Sequence, residues 1–176
     1  MTQFLLKEEM NLFVGDDPDA SNHLTLSELA LPKLEEMSFD FQGGGAAFGL
    51  NMKGGGFKPL AASFKLAGVN LDVMKYFQLD ETNTPFTALS AMRDQLTGAL
   101  KPAKAIINGR LGTIEEDAFK KGEMSQHDYG ITGIVHYELH IDGKELYYFD
   151  WARGIVRVDG VDKRAKVRSM LNIPGA

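Results

Sequence analysis

The residues best suited to chemistry lie in the segment His136-Tyr137-Glu138-Leu139-His140. In a zinc-binding helix, two histidines flank a catalytic glutamate, but the glutamate here is misplaced for that signature. Because the segment alternates apolar and polar residues, it predicts a strand with His136, Glu138 and His140 on one face. A metal-dependent enzyme built on the two histidines remains an alternative. A structural role is favoured, since Glu145 and Phe149 are expected opposite His140 and His136.

Other groupings of reactive side chains do not support catalysis. The glycine clusters at 43–45 and 54–56 lack the following Gly-Lys-Ser/Thr and the helix N-terminus that a phosphate-binding loop needs. The acidic runs at 35–36 and 115–117 have no nucleophile or histidine beside them, and surface carboxylates are usually solvated. The chain has no cysteine, which excludes disulfides, thiolate metal sites and a cysteine nucleophile. We therefore expect no enzyme, no metal and no cofactor.

The glycine clusters instead mark a predicted β-hairpin. Residues 36–41 and 46–53 alternate apolar and polar side chains, so each strand has one apolar face. We expect the glycines to form flexible hairpin tips at Gly43, Gly44, Gly45, Gly54, Gly55 and Gly56. The polar side chains predicted to share the other, wetted face are Glu36, Ser38, Asp40, Asn51 and Lys53.

The strongest alternation runs from Tyr129 to Ile141 and predicts a strand of roughly 43 Å. Asp142-Gly143 then predicts a two-residue type I′ turn and a return strand over 144–151. The return strand is apolar on both faces, so a partner subunit or a helix of the same chain should cover one of them. The expected cross-strand pairs are Leu139 with Leu146, Tyr137 with Tyr148, His140 with Glu145 and His136 with Phe149.

The remaining elements are shorter. A strand is predicted over 58–66 and a short helix over 70–77, with Asn70 as its N-cap. A loop is expected over 80–85, while 92–96 fits either a strand or a helix. Residues 103–114 favour a strand, which Asn108-Gly109 either continues or interrupts with a turn. A short helix is predicted after Asp162, ended by Asn172 and Pro174.

Composition limits the class of protein. The 176 residues are 44% apolar and 24% charged, which predicts one folded domain over 1–176. We expect no membrane span and no secretory signal, because no apolar run is long enough and the N-terminus lacks a basic start. The net charge of −5 argues against a general nucleic-acid binder. The C-terminal segment is basic, through Lys163, Arg164, Lys166 and Arg168, and is either an interaction surface or a solvated helix.

These features together predict a structural building block, mainly β, with a β-sandwich or barrel architecture. Long strands with open edges aggregate unless they are deliberately paired. A ring in which subunits continue one another's sheet solves this problem, and a many-stranded barrel leaves an aqueous channel. A β-barrel that binds a small ligand is an alternative from another class. It would be a monomer or dimer with a large apolar pocket.

Six stretches of the sequence carry a resemblance to a known family. They are Asn11-Leu12-Phe13-Val14-Gly15, residues 29–36, Ala62-Ser63-Phe64, residues 72–77, residues 137–145 and residues 158–168. In this order they resemble the major tail tube protein family of contractile-tailed bacteriophages, which is shared with phage-tail-like bacteriocins. Together they extend over roughly residues 11–172. The resemblance implies a tail-tube fold with long hairpins, one short helix packed on the sheet and a short C-terminal helix.

The resemblance also implies hexameric rings that stack into the inner tube of a virion tail after assembly in the host cytoplasm. Expected partners are other copies of the chain, the sheath, tape-measure, baseplate and terminator proteins, and double-stranded DNA that passes without specific binding. DNA carries one charge per roughly 1.7 Å, so an acidic bore lets it slide. We therefore expect the polar hairpin face to line the bore, and the basic C-terminal helix to contact the sheath or the next ring. The inner tube of a bacteriocin or injection machine is the alternative within this class.

Overall fold

The structure, a computed structural model, describes residues 3–79 and 83–174. Within these residues the chain forms strands joined by tight turns and by longer loops, with two helices of four and six residues. Neither helix is long and apolar enough to cross a membrane. The strands are β1 (Leu5–Val14), β2 (Leu26–Ala30), β3 (Glu36–Phe41), β4 (Leu50–Phe57), β5 (Ala62–Ala67), β6 (Thr84–Asp94), β7 (Leu100–Glu116), β8 (Gln126–Ile141), β9 (Lys144–Asp150), β10 (Ile155–Val158) and β11 (Val161–Asp162), and the helices are α1 (Leu71–Met74) and α2 (Ala165–Met170).

Nine strands form one antiparallel sheet in the order β1-β6-β7-β8-β9-β10-β11, with β5 beside β8 and β2 beside β5. The strands β3 and β4 form a separate two-stranded sheet. In the described part of the chain, the large sheet runs from β1 to β11 without closing. The mainly β fold with short helices is confirmed, whereas the barrel is not confirmed for the single chain.

The long strand β8 changes neighbours halfway along its length. Along one edge, residues 126–131 pair with β5 and residues 136–141 pair with β9. Along the other edge, β7 pairs with both halves. Between them the β7 register shifts, so that Arg110 faces Thr132 but Asn108 faces His136. Gly133 lies at this shift with φ of +57°, a conformation that glycine adopts readily. A bulge of this kind bends a strand and lets one strand serve two parts of a sheet.

The core lies on one face of the large sheet. Phe64 on β5 stacks on Tyr129 of β8 with ring centroids 4.9 Å apart, and Phe86 of β6 packs against Phe64 at 6.1 Å. All three side chains are buried. The short helix α1 contributes Val73 to this core. Its N-cap, Asn70, accepts hydrogen bonds through its side chain from the backbone N–H groups of Asp72 and Val73. The predicted short helix packed on the sheet is therefore confirmed.

The β8–β9 hairpin corrects the predicted register by one residue. Asp142 and Gly143 form the predicted turn, both with positive φ, and His140 faces Glu145 as expected. The register then shifts between Leu139 and His140. The actual pairs are Leu139 with Tyr147, Tyr137 with Phe149, Glu138 with Tyr148 and His136 with Asp150. Because of the shift, Tyr147 and Phe149 pack on the core, and the predicted pairs with Leu146, Tyr148 and Phe149 are wrong.

Two ambiguous segments resolve as strands. Asn108-Gly109 lies inside β7 and pairs on both sides, with β6 and β8, so the turn alternative is wrong. The ladder on each side holds this segment extended despite its turn-forming sequence. Residues 92–94 complete β6, which excludes the helix there. The strand predicted over 58–66 begins only at Ala62, and the loop predicted over 80–85 falls partly outside the described residues.

Candidate assembly surfaces

The β3–β4 hairpin brings together the polar residues that the sequence placed on one face. Ser38 pairs with Lys53 and Asp40 with Asn51 across the two strands. Glu36 lies beyond a register shift, opposite Phe57, yet its carboxylate is 3.1 Å from the Lys53 ammonium. Asn51 donates a hydrogen bond of 2.8 Å to Asp40. Two carboxylates and one ammonium leave this face slightly acidic, with its polar groups satisfied within the face.

The opposite face of this hairpin is apolar and uncovered. Phe39 pairs with Met52, and Phe41 pairs with Leu50. Phe39 and Phe41 are 54% and 56% exposed. The large apolar residues exposed on this face are Met37, Phe39, Phe41, Leu50 and Met52. Contiguous exposed apolar surface of this kind marks a protein–protein contact. We call this surface the apolar hairpin face.

The two glycine clusters have different roles. Gly43, Gly44 and Gly45 lie in the connection between β3 and β4, as predicted. Gly54, Gly55 and Gly56 lie inside β4 and do not form a tip, which corrects that prediction. A Cβ on Gly54 would approach the Met37 carbonyl oxygen to 2.9 Å, and Gly55 has φ of +84°. The second cluster therefore permits close strand approach at the register shift near Glu36.

The four basic residues of the C-terminal segment are not equivalent. Arg168 turns inward and forms an ion pair of 2.5 Å with Asp162, both side chains being largely buried. Burial raises the pKa of Asp162, but hydrogen bonds from the Arg168 side chain and the Arg164 backbone outweigh it, so its pKa lies below the usual value. Lys163 and Lys166 are exposed, and Arg164 is half-buried. Only the two lysines present a freely accessible basic surface.

The histidine row on β8 is a hydrogen-bonded structural unit. Glu138 lies between the two histidines, with one oxygen 2.7 Å from His136 Nε2 and the other 2.9 Å from His140 Nε2. Partial burial raises the pKa of Glu138, but these hydrogen bonds outweigh it and hold the pKa below its usual value. The three side chains therefore use these ring nitrogens and carboxylate oxygens in hydrogen bonds to one another. In the described ranges no group of three such ligands is placed to hold a metal.

The sequence did not predict an open cleft of about 730 Å³ that lies at the base of the β3–β4 hairpin. Its walls come from β4, β7, β8, β9, β10 and the segment before α2. Trp151 lies at this cleft and is 80% exposed. The one sequence signal that pointed here was the return strand with apolar residues on both faces. We call this cavity the Trp151 cleft.

Two solved structures share this fold. A chain of the sheath–tube complex of an extracellular contractile injection system, PVC, in the extended state is 9% identical, with a TM-score of 0.51, over 75% of this chain and 88% of that chain. A chain of the sheath/tube terminator of the same system is 10% identical, with a TM-score of 0.51, over 75% and 93% of the two chains. At these identities the likeness concerns the fold alone.

No curated protein matches this sequence. A family model does match, and it covers residues 8–171, nearly the whole chain. That family is described as phage tail tube protein FII. The long antiparallel hairpins, the two short helices and the uncovered hairpin face are what a subunit of a tube would present. The chain therefore belongs to the phage tail tube protein FII family and is a structural tail tube protein.

Proposed function

We propose that this tail tube protein, as a single domain, assembles into hexameric rings that stack into the inner tube of a contractile phage tail. The tube then conducts double-stranded DNA into the host. The apolar hairpin face is the observation that supports this proposal most, because Phe39 and Phe41 are each about half exposed in the single chain. A surface of this size is unfavourable in water and becomes favourable once a neighbouring subunit covers it.

The open edges of the sheet support a ring as the form of assembly. In the described part of the chain, β1 pairs with β6 over nine residue pairs, and its other edge is bridged only near one end, where Phe13 pairs with Ser21 and the Asn22 N–H donates to the Leu12 carbonyl oxygen. The rest of that edge, residues 5–10, is a ready template for another strand. A heterologous contact between copies closes into a ring when the rotation per subunit allows it. Ring closure would pair these edges and cover the hairpin face together.

We place the polar face of the same hairpin in the bore. If the apolar hairpin face packs on a neighbour, the face with Glu36, Asp40 and Lys53 turns away from that contact. Its slight acidity disfavours binding to DNA phosphates, which suits a conduit. A cryo-EM map of the tube tests this placement directly. Density that puts Glu36 and Asp40 outside the channel would exclude it.

We assign the sheath or inter-ring contact to Lys163 and Lys166, the exposed cations of the C-terminal segment. The double charge reversal Lys163→Glu/Lys166→Glu should leave tubes intact but without sheath where the contact is to the sheath, and should stop rings from stacking where the contact is between rings. Sheath that still assembles on the variant tubes would remove this assignment. Tape-measure, baseplate and terminator proteins are the further partners we propose, with assembly in the host cytoplasm and the finished tube in the virion.

Electron microscopy of the purified protein tests the central proposal. We expect rings or tubes with six-fold symmetry and a central channel. A stable monomer at high concentration would contradict it. Nuclease-protected DNA in intact particles would assign the tube to a phage, and its absence would favour the alternative, a phage-tail-like bacteriocin or injection machine.

A further inference from the structure

The Trp151 cleft is apolar inside and basic at its rim. Its apolar walls include Phe57, Leu60, Ile134, Phe149 and Ile155. Lys58, Arg110 and Arg164 line it against Asp150, and Lys58 is already ion-paired with Glu35, so the two arginines make the rim basic. A cleft of this composition suits an apolar group that is flanked by negative charge.

The two arginines at this cleft are available to a partner. The chain has six arginines. Four of them, Arg93, Arg153, Arg157 and Arg168, form ion pairs with carboxylates. Arg110 and Arg164 form none in the part of the chain that the structure describes, and both line the cleft. Guanidinium groups bind carboxylates in a forked geometry, so the rim is suited to an acidic segment.

The β7–β8 connection has the complementary character. Glu115 and Glu116 at the end of β7 are followed by Asp117, and all three are exposed. Phe119 follows two residues later and is 87% exposed. Nearby Lys120 forms an ion pair with Glu123, within the same turn. The connection therefore presents one large aromatic side chain beside three carboxylates. We call it the acidic tip.

The acidic tip cannot reach the cleft of its own chain. Gly133 is the residue of β8 nearest to Gln126 that lines the cleft, seven residues along the strand, and Arg110 of β7 lies five residues before Glu115. These stretches of strand extend roughly 23 Å and 17 Å, beyond the reach of a side chain. An interaction between the two surfaces therefore requires two molecules. Since the two surfaces differ, the contact is heterologous, the kind that builds rings or continuous stacks.

We propose that the acidic tip of one subunit docks into the Trp151 cleft of a second copy, with Phe119 filling the apolar interior and the acidic residues facing Arg110 and Arg164. This inference rests on the proposed tube assembly and adds a specific subunit contact to it. The contact also covers Trp151 and Phe119, two of the most exposed aromatic side chains. It needs no rearrangement of the sheet, because both surfaces are already open.

Cysteine cross-linking tests the contact in assembled tubes, since the natural chain has no cysteine. The double variant Ala118→Cys/Ala152→Cys, which keeps Phe119 and Trp151, should give a ladder of covalent oligomers on a non-reducing gel after oxidation, and reductant should collapse it. Each single variant should give no ladder beyond a dimer. A ladder that stops at six would place the contact within a ring, and a longer one would place it between rings. The matched control is Leu24→Cys/Ala152→Cys, in which the first cysteine is equally accessible but lies outside the acidic tip.

A charge exchange gives a second, independent measurement. Arg164→Glu and Glu116→Arg should each raise the concentration needed for assembly about tenfold, which corresponds to losing roughly 1.4 kcal/mol. The double variant should recover most of the loss, because the pair is restored in the opposite sense. Tubes that form without a ladder and with additive charge effects would overturn the contact while leaving the tube function standing. Failure of the unmodified protein to assemble would instead overturn the tube function, and this inference with it.

Discussion

Removing aromatic side chains from the apolar hairpin face should weaken assembly without unfolding the subunit. Phe39 and Phe41 are 54% and 56% exposed in the single chain. Complete burial of a phenylalanine contributes roughly 1.5–3 kcal/mol, so covering the remaining half contributes about 1 kcal/mol for each. The double variant Phe39→Ser/Phe41→Ser should therefore lose about 2 kcal/mol per subunit contact. This corresponds to a roughly 30-fold higher concentration for assembly.

Sedimentation velocity over a concentration series measures this threshold, and circular dichroism reports the fold of the unassembled variant. The matched control is Ser38→Ala/Asn51→Ala, which alters the opposite face of the same two strands. We expect the control threshold to stay within about twofold of the unmodified protein. An unchanged threshold for the phenylalanine variant would show that subunits do not cover this face. Loss of its secondary structure would show instead that the face belongs to the fold of the single chain.

Three further predictions concern the unassembled subunit. Gly15→Ala should lower the free energy of unfolding by about 2 kcal/mol, because Gly15 has φ of +84° and an added Cβ would lie 1.9 Å from the Tyr76 hydroxyl. Calorimetry should show this as a melting temperature lower by roughly 4–8 °C. His127→Leu should raise the free energy of unfolding by about 1 kcal/mol, because neither nitrogen of this buried ring has a hydrogen-bond partner among the described residues, the Glu116 carboxylate lying 3.7 Å away. A lower denaturation midpoint would contradict this. The pKa of Glu138 is lower in the folded than in the unfolded chain, so its ionised carboxylate stabilises the fold above the unfolded-state pKa. That stability is lost as the pH falls through the folded-state pKa. Glu138→Gln should therefore flatten the acid limb of a curve of unfolding free energy against pH.

Alternation of residue types predicted the parts of the fold where strands run without interruption. The faces of the β3–β4 hairpin and the turn at Asp142-Gly143 follow directly from period-two patterns and turn chemistry. The hairpin faces and the turn are local features, since each depends on residues that are close together in the chain. The N-cap at Asn70 was predictable for the same reason, because it needs only the next three residues.

Bulges account for most of what the sequence did not reveal. The shift between Leu139 and His140 exchanged which return-strand residues face the core, although alternation in each strand is intact. A bulge adds one residue to one strand only, and no single-strand pattern records it. Asn108-Gly109 misled for a different reason. Its turn tendency is local, whereas the ladders that hold it extended come from two distant strands. The Trp151 cleft could not be assembled from the sequence, because its walls come from five strands.

The C-terminal cations show why the assembly surfaces had to come from the structure. The sequence treats Lys163, Arg164, Lys166 and Arg168 as one basic run. A partner that used Arg168 would have to break its largely buried ion pair with Asp162, and leaving either charge buried alone is costly. Lys166, in contrast, is exposed and would lose only its contacts with water. Charge reversal at Arg168 would therefore disrupt the C-terminal segment and would not report on a sheath contact. The discriminating variants are those at Lys163 and Lys166, where a lost contact can be separated from a lost fold.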